Sequence, residues 1–163
     1  MDQCKPSPTP FISLLRLSAY DGDPISDPDV YRSMVGGLQY LTLTRPDISF
    51  VVNQVCQYMH NPKSTYLQAV KRIYRYIKGI VEQGLLFRSS PDFSIRGFFY
   101  TDWADSIDDR RSTNGACIFL GPNLFTWIAK KQSTMSRSSS EAEYRALATT
   151  AAEIRCFVIS SVN

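Results

Sequence analysis

Four cations, Lys71, Arg72, Arg75 and Lys78, follow one another at steps of one, three and three residues. On a helix this spacing gathers them on one broad face, with Tyr74 and Tyr76 interleaved. Such a face can contact phosphates and bind nucleic acid in a salt-dependent way. A solvated helix face has the same composition, so both readings stand. These residues lie in the most basic stretch of the chain. From Lys63 to Arg88 six cations face Glu82 alone. The first thirty residues reverse the balance, with Lys5 and Arg16 against Asp2, Asp21, Asp23, Asp27 and Asp29. An anionic partner is therefore expected at the middle of the chain. Arg110-Arg111 and Lys130-Lys131 are further paired cations.

Other reactive side chains point to no chemistry by themselves. Cys4, Cys56, Cys117 and Cys156 form no CxxC pair, and with His60 they make no zinc pattern. They read as free thiols, and His60 as a helix-end residue. Ser138 with Glu141, and Ser140 with Glu143, each fit a capping box. Negative charge at a helix start is stabilised by about 0.3–1 kcal/mol. On residue type alone Glu143 is a capping acid, and Asp102 ends an exposed strand.

The elements that must position these residues follow from periodicity. The chain has 163 residues, 44% hydrophobic and 20% charged, enough for one ordinary domain or two small ones. Residues 1–27 carry Pro6, Pro8, Pro10, Gly22 and Pro24, and read as an irregular lead-in. A first helix should start at Pro28, capped by Asp27, with Tyr31, Met34, Val35, Leu38 and Leu41 inward. Gly36-Gly37 inside it suggests close approach of another backbone. A second helix should start at Pro46 with Ile48, Val51, Val52, Val55 and Met59 inward. A third runs from Lys63–Ser64 to Gly79 with Leu67, Val70, Ile73 and Ile77 inward. After Gly84 strands are expected at 85–87, 95–101, 116–120, 125–128 and 133–135. A last helix should turn Tyr144, Leu147, Ala151, Ile154 and Val158 inward. No stretch reaches the roughly 18 apolar residues of a membrane span. The apolar run from Phe11 to Leu15 follows three prolines and lacks a basic flank, so a signal peptide is not expected. An intracellular location is the expectation, with cytoplasm and nucleus both open.

Ordered motifs then point to a family. Val30 to Leu41 resembles the YRxLVGxLxYL segment of copia-type retrotransposon Pol polyproteins. Thr44-Arg45-Pro46-Asp47-Ile48 resembles their TRPDI, Met59-His60-Asn61-Pro62 their MHNP, and Arg72 to Gly79 their RxLRYLKG. Asp108 to Thr113 resembles DDRRST, Lys130-Lys131-Gln132 resembles SKKQ, and Ser139 to Tyr144 resembles SSTEAEY. Cys4-Lys5-Pro6 and Thr9-Pro10 match the lead-in. The resemblance runs in order from about residue 4 to about residue 156.

That resemblance implies an α+β chain. Residues 28–82 would be a three-helix thumb or connection segment of reverse transcriptase. Residues 83–163 would be a truncated ribonuclease H-like antiparallel sheet with a C-terminal helix. The family activity implied is hydrolysis of RNA–DNA hybrids with two Mg²⁺ ions about 4 Å apart, held by clustered carboxylates. Glu143 matches the family's helix ligand. The first-strand ligand, the first Asp of SDADWA, falls on Tyr100. Asp102 lies two residues on, displaced by roughly 6.7 Å along a strand, and could substitute only through a register shift. The remaining ribonuclease H acids are expected beyond residue 160, and the polymerase aspartates before residue 1. The expectation is a retrotransposon-derived remnant without activity or bound Mg²⁺, with weak affinity for RNA–DNA hybrid or other nucleic acid. Two alternatives stand beside it: a ribonuclease H module completed by another Pol segment, and a recruited structural or interaction protein. On this reading one sheet edge lacks its partner, and exposed edges aggregate. An isolated segment 84–163 is therefore expected to be poorly soluble in a sedimentation assay; a well-folded monomer would contradict the missing-partner argument.

Overall fold

The structure, a computed structural model, describes residues 4–11 and 17–162. Residues 1–3, 12–16 and 163 lie outside it, and with them Asp2, Arg16 and most of the apolar run after Phe11. The chain divides into two compact units, Met1–Gly84 and Leu85–Asn163.

The first unit is built on α1 (Pro28–Leu41), α2 (Pro46–Cys56) and α3 (Ser64–Gly79). Asp27 caps α1, accepting from the N–H groups of Asp29 and Val30, with Pro28 pre-set for the first turn. The core is Tyr31, Val35 and Leu38 of α1, Ile48, Val51, Val52 and Val55 of α2, and Tyr66, Val70 and Ile73 of α3. Met34, Leu41, Leu67 and Ile77 pack half-buried around it. α2 stops three residues before Met59, which packs from the following turn. Four phenols tie these apolar contacts to specific places. Tyr31 donates to the Val55 carbonyl at 2.7 Å, and Tyr74 to the Met34 carbonyl at 2.9 Å. Tyr58 and Tyr66 stack at 4.2 Å and donate to the carbonyls of Leu17 and Ser18. A buried phenol needs such a partner, and each one fixes a neighbouring segment.

One expectation is corrected here. The lead-in is irregular in its described part, but it is not loose. Ser7 N–H donates to the Arg75 carbonyl, Ser64 N–H to the Asp23 carbonyl, and Thr65 to the Asp21 carbonyl. Nor does another backbone approach Gly36-Gly37. A Cβ on Gly36 would meet open space, and one on Gly37 would lie 3.3 Å from the Tyr74 hydroxyl. The phenol bonded to Met34, not a main chain, claims that room.

The Thr44–Ile48 segment also has a structural use. Arg45 grips Asp47 through two hydrogen bonds, at 2.9 and 2.7 Å. Tyr76 of α3 donates to the same carboxylate at 3.0 Å. Arg45 reaches on to the Ile80 carbonyl. The start of α2 is thus fastened to the end of α3. The Arg45 guanidinium holds the Asp47 carboxyl below its ordinary range, with the Tyr76 hydroxyl helping.

The second unit is an antiparallel sheet in the order β1-β2-β3, with β1 (Ile95–Asp102), β2 (Thr113–Leu120) and β3 (Asn123–Lys131), followed by α4 (Ser139–Val162). The β2–β3 turn needs Gly121, at φ +55°, where any Cβ would collide with the Asp92 main chain. A register shift after Ile118 leaves Phe125 as an extra residue, and it packs on Phe157 of α4 at 4.3 Å. α4 covers one face of the sheet. Gly97 makes room for it, since a Cβ there would lie 2.7 Å from Ile154 Cδ1.

Three expectations for this unit change. Residues 85–87 form no strand; beyond them both main-chain groups of Arg88 are taken by the Asn123 side chain. Residues 133–135 form none either. The Ser112 carbonyl accepts from Gln132 N–H, and past it the chain before β2 turns away, leaving nothing to pair. The inward stripe of α4 is also displaced. Ala142, Ala146 and Thr150 are buried, with Ile154 and Phe157 half-buried, whereas Tyr144, Leu147, Ala151 and Val158 face out. Small residues let the helix lie close on the sheet, and a reading by residue size selects the wrong face.

Replacing Gly36 with alanine should raise stability by up to about 1 kcal/mol in urea unfolding, because helix propensity improves without a clash. Gly37→Ala should gain less or lose, since Tyr74 must move. The Asp47 carboxyl has its folded pKa lowered, so its contribution is complete above the unfolded value and lost as pH falls through the folded one. Unfolding midpoints should drop below about pH 4, and Asp47→Asn should flatten that dependence.

Candidate functional site

The acids with a chemical reading come from two elements that do not converge. Side chains alternate along a strand. Gly97, Phe99 and Thr101 of β1 face α4, so Phe98, Tyr100 and Asp102 point to the opposite face. The Thr101 hydroxyl confirms the first set: it donates to Asn114 Oδ1 at 3.0 Å, which also accepts from the Gln132 side chain that bonds α4. Tyr100 is 68% exposed on the open face, opposite Gly115. Asp102 is half-buried at the strand's end, opposite Thr113. Glu143 is exposed on the first turn of α4, on the other side of the sheet. Among the described residues no three His, Cys, Asp or Glu side chains are grouped to hold a metal ion. The residues present do not fit a two-Mg²⁺ site.

Glu141, not Glu143, serves the helix start. Ser138 Oγ accepts from Glu141 N–H, and Glu141 accepts from Arg137 N–H at 2.8 Å. That main-chain donor, with Arg145, holds the Glu141 carboxyl below its ordinary range. Arg145 pairs with Glu141 at 2.6 Å and also bonds Thr134.

What the second unit gathers is a buried polar network. The Gln132 carboxamide donates to Asn114 Oδ1 at 2.7 Å and to the Ala142 carbonyl at 3.1 Å, and accepts from Ser136 Oγ at 2.8 Å. Trp103 Nε1 donates to the Ser136 carbonyl. Ser112, fully buried, accepts from Ala104 N–H, and Ala104 takes φ +53° to reach it. The loop between β1 and β2 is closed by Asp109, which pairs with Lys131 at 2.9 Å and Arg111 at 3.5 Å. Burial pushes the Asp109 carboxyl up, but hydrogen bonds from Ser106 and Lys131 outweigh it. Residue type gave no hint of this network. The only signal was the triplet Lys130-Lys131-Gln132, quoted for resemblance alone.

The basic face of α3 is real but partly occupied. Arg72 donates to Thr9 Oγ1 at 2.9 Å, Lys78 to the Cys4 carbonyl at 3.2 Å, and Pro6 lies against Gly79. Arg72 and Arg75 are half-buried, each with its Nε shut off from solvent and unpaired. Lys71 and Lys78 remain exposed. Lys130 and Arg110 are exposed too, whereas Lys131 and Arg111 are held by Asp109. His60 is exposed, four residues past the end of α2. All four cysteines are free thiols. Among the described residues no helix is long and apolar enough to cross a membrane.

Comparison with known proteins adds relatives to this geometry. An uncharacterized mitochondrial protein of Arabidopsis thaliana is 49% identical over 154 residues, covering 94% of this chain. The retrovirus-related Pol polyprotein from transposon RE1 of the same plant is 44% identical over 95% of the chain, and that from transposon RE2 is 41% identical over 93%. The chain spans 64% of the length of the mitochondrial protein and 11% and 10% of the two polyproteins. No family model and no solved structure matches it.

Gln132→Leu keeps the volume but leaves Ser136 Oγ without its acceptor and removes one of two donors from Asn114 Oδ1, which keeps Thr101. It should cost about 1–3 kcal/mol in thermal or urea unfolding, the range for one buried unsatisfied group. Glu143→Gln, at an exposed site, should change stability by less than about 0.5 kcal/mol.

Proposed function

We propose, for a chain that belongs to the copia-type retrotransposon Pol family, that it is a retrotransposon-derived segment without a working phosphodiester-hydrolysing centre and with weak affinity for nucleic acid. The observation that carries this reading is Tyr100. It occupies the position where the family resemblance puts the first-strand carboxylate, and it points away from α4. A phenol is a poor substitute for the carboxylate that Mg²⁺ takes as a hard ligand. Among the described residues, β1 offers Glu143 no opposing carboxylate, because Asp102 shares the open face with Tyr100.

The nucleic-acid part of the reading rests on α3. RNA–DNA hybrid is the ligand that the family suggests. Lys71 and Lys78 are exposed, Lys78 while donating to the Cys4 carbonyl, whereas Arg72 and Arg75 are half-buried and Arg72 donates to Thr9 Oγ1. Two exposed cations make a weak contact.

Both parts can be checked on one labelled RNA–DNA hybrid. With Mg²⁺ or Mn²⁺ the hybrid should stay intact; cleavage that disappears in Glu143→Gln would overturn the first part. Binding should be weak, and the slope of log K against log salt should be near −2, about 0.9 per phosphate contacted. Lys71→Ala with Lys78→Ala should abolish it. A slope near −4 would mean that all four cations bind and that residues 4–10 leave the helix.

A further inference from the structure

The outer edge of β1 is unpaired among the described residues and carries a distinctive pattern. It has neither proline nor bulge to guard it, and its two charges, Arg96 and Asp102, are opposite in sign. β3, the other edge, carries a bulge and two lysines. The open-face residues of β1 are Arg96, Phe98, Tyr100 and Asp102 in order, with Phe98 59% and Tyr100 68% exposed.

This order is self-complementary. Set a second β1 antiparallel to the first, with Phe99 on the two-fold axis. Arg96 then stands opposite Asp102 of the second copy, and Phe98 opposite Tyr100. The axis repeats both pairs. Directly opposed residues on one face are the unit of sheet stabilisation, and opposite charges and aromatic pairs are among the favourable ones. A register two residues either way loses the charge match. Arg96 already donates one N–H to the Gly121 carbonyl at 2.8 Å, and its guanidinium keeps other donors.

α4 supplies a second, independent observation. Phe157 packs on Phe125 of β3, whereas Ile154 lies over Gly97 of β1. At about 100° per residue, Phe157, Thr150 and Ile154 are followed round the helix by Leu147, Val158 and Ala151. That flank therefore lies on the outer side of β1. It is apolar and exposed, with Leu147 at 44% and Val158 at 40%. Gly97 lies level with Thr150 and Ile154, and Thr101 is linked through Asn114 and Gln132 to Ala142. Leu147 and Ala151 therefore sit level with Phe99. The two-fold axis that pairs the strands also brings these two flanks together.

We propose that the chain forms a two-fold dimer through β1, making a continuous six-stranded sheet with the two copies of α4 side by side on one face. The interface is isologous and closed, so it ends at two copies. It stands apart from the nucleic-acid reading, which concerns α3. A single strand pair with one helix flank is a small interface, so the dimer is of the weak, transient kind.

Sedimentation of the whole 163-residue chain, up to hundreds of micromolar, tests this. A monomer–dimer equilibrium is expected. Arg96→Asp and Asp102→Arg should each weaken it at least about tenfold, and the double variant should restore it to within about threefold, as a charge pair in a double-mutant cycle requires. Circular dichroism checks that each variant folds. Tyr100→Lys, at an exposed position, should weaken the dimer without touching the monomer fold. In the unaltered chain, amide exchange along β1 should slow as concentration rises. A monomer throughout would overturn the proposal, as would dimers indifferent to Arg96→Asp, failure of the double variant to recover, or growth beyond two copies.

Discussion

The second unit depends on one side chain, the carboxamide of Gln132. It leaves the end of β3, meets Asn114 of β2, accepts from Ser136 in the connection, and donates to Ala142 at the start of α4. An amide has two donors and an acceptor in one plane, and here all of these functions are used. Because the group is buried, each partner lost would leave polar atoms without water, at about 1–3 kcal/mol apiece. The network sets where α4 begins and therefore which face of the sheet it covers. The rest follows: small residues at Ala142, Ala146 and Gly97 for a close approach, and an open face bearing Phe98, Tyr100 and Asp102.

The first unit solves the same problem with phenols. Its apolar core specifies a compact three-helix packing but not a unique set of connections. Tyr31, Tyr58, Tyr66 and Tyr74 each donate to a main-chain carbonyl far from them in sequence. The segment before α1 is drawn onto the bundle in this way, and it covers part of the basic face of α3. Several stretches that mark the retrotransposon family therefore work as fasteners here. Arg45-Pro46-Asp47 joins α2 to α3, Asp109 closes a loop, and Lys130-Lys131-Gln132 ends the sheet.

Much of this was legible in the sequence. The three helices of the first unit, their proline starts and their apolar stripes follow from periodicity, as do β1, β2, β3 and the α4 cap at Ser138. The failures share a cause. Leu85-Leu86-Phe87 and Ser133 to Met135 look like strands by composition, but a strand exists only where another can pair with it. The α4 stripe was misread because Tyr144 and Leu147 are larger than Ala142 and Ala146, while a helix held close to a sheet buries its smallest residues. At the candidate site the sequence identified Tyr100, Asp102 and Glu143, and not that alternation places Asp102 and Glu143 on opposite faces. The Gln132 network was illegible, because no pattern tells a buried glutamine from a surface one.

The central claim is that no carboxylates converge between β1 and α4. Manganese is a direct probe of it, because bound Mn²⁺ broadens the NMR signals of nearby amides whether or not any reaction occurs. On titrating the labelled chain with Mn²⁺, broadening should be shallow and scattered over exposed acids. Saturable, selective broadening that converges on Glu143 together with Tyr100 to Asp102 would contradict it.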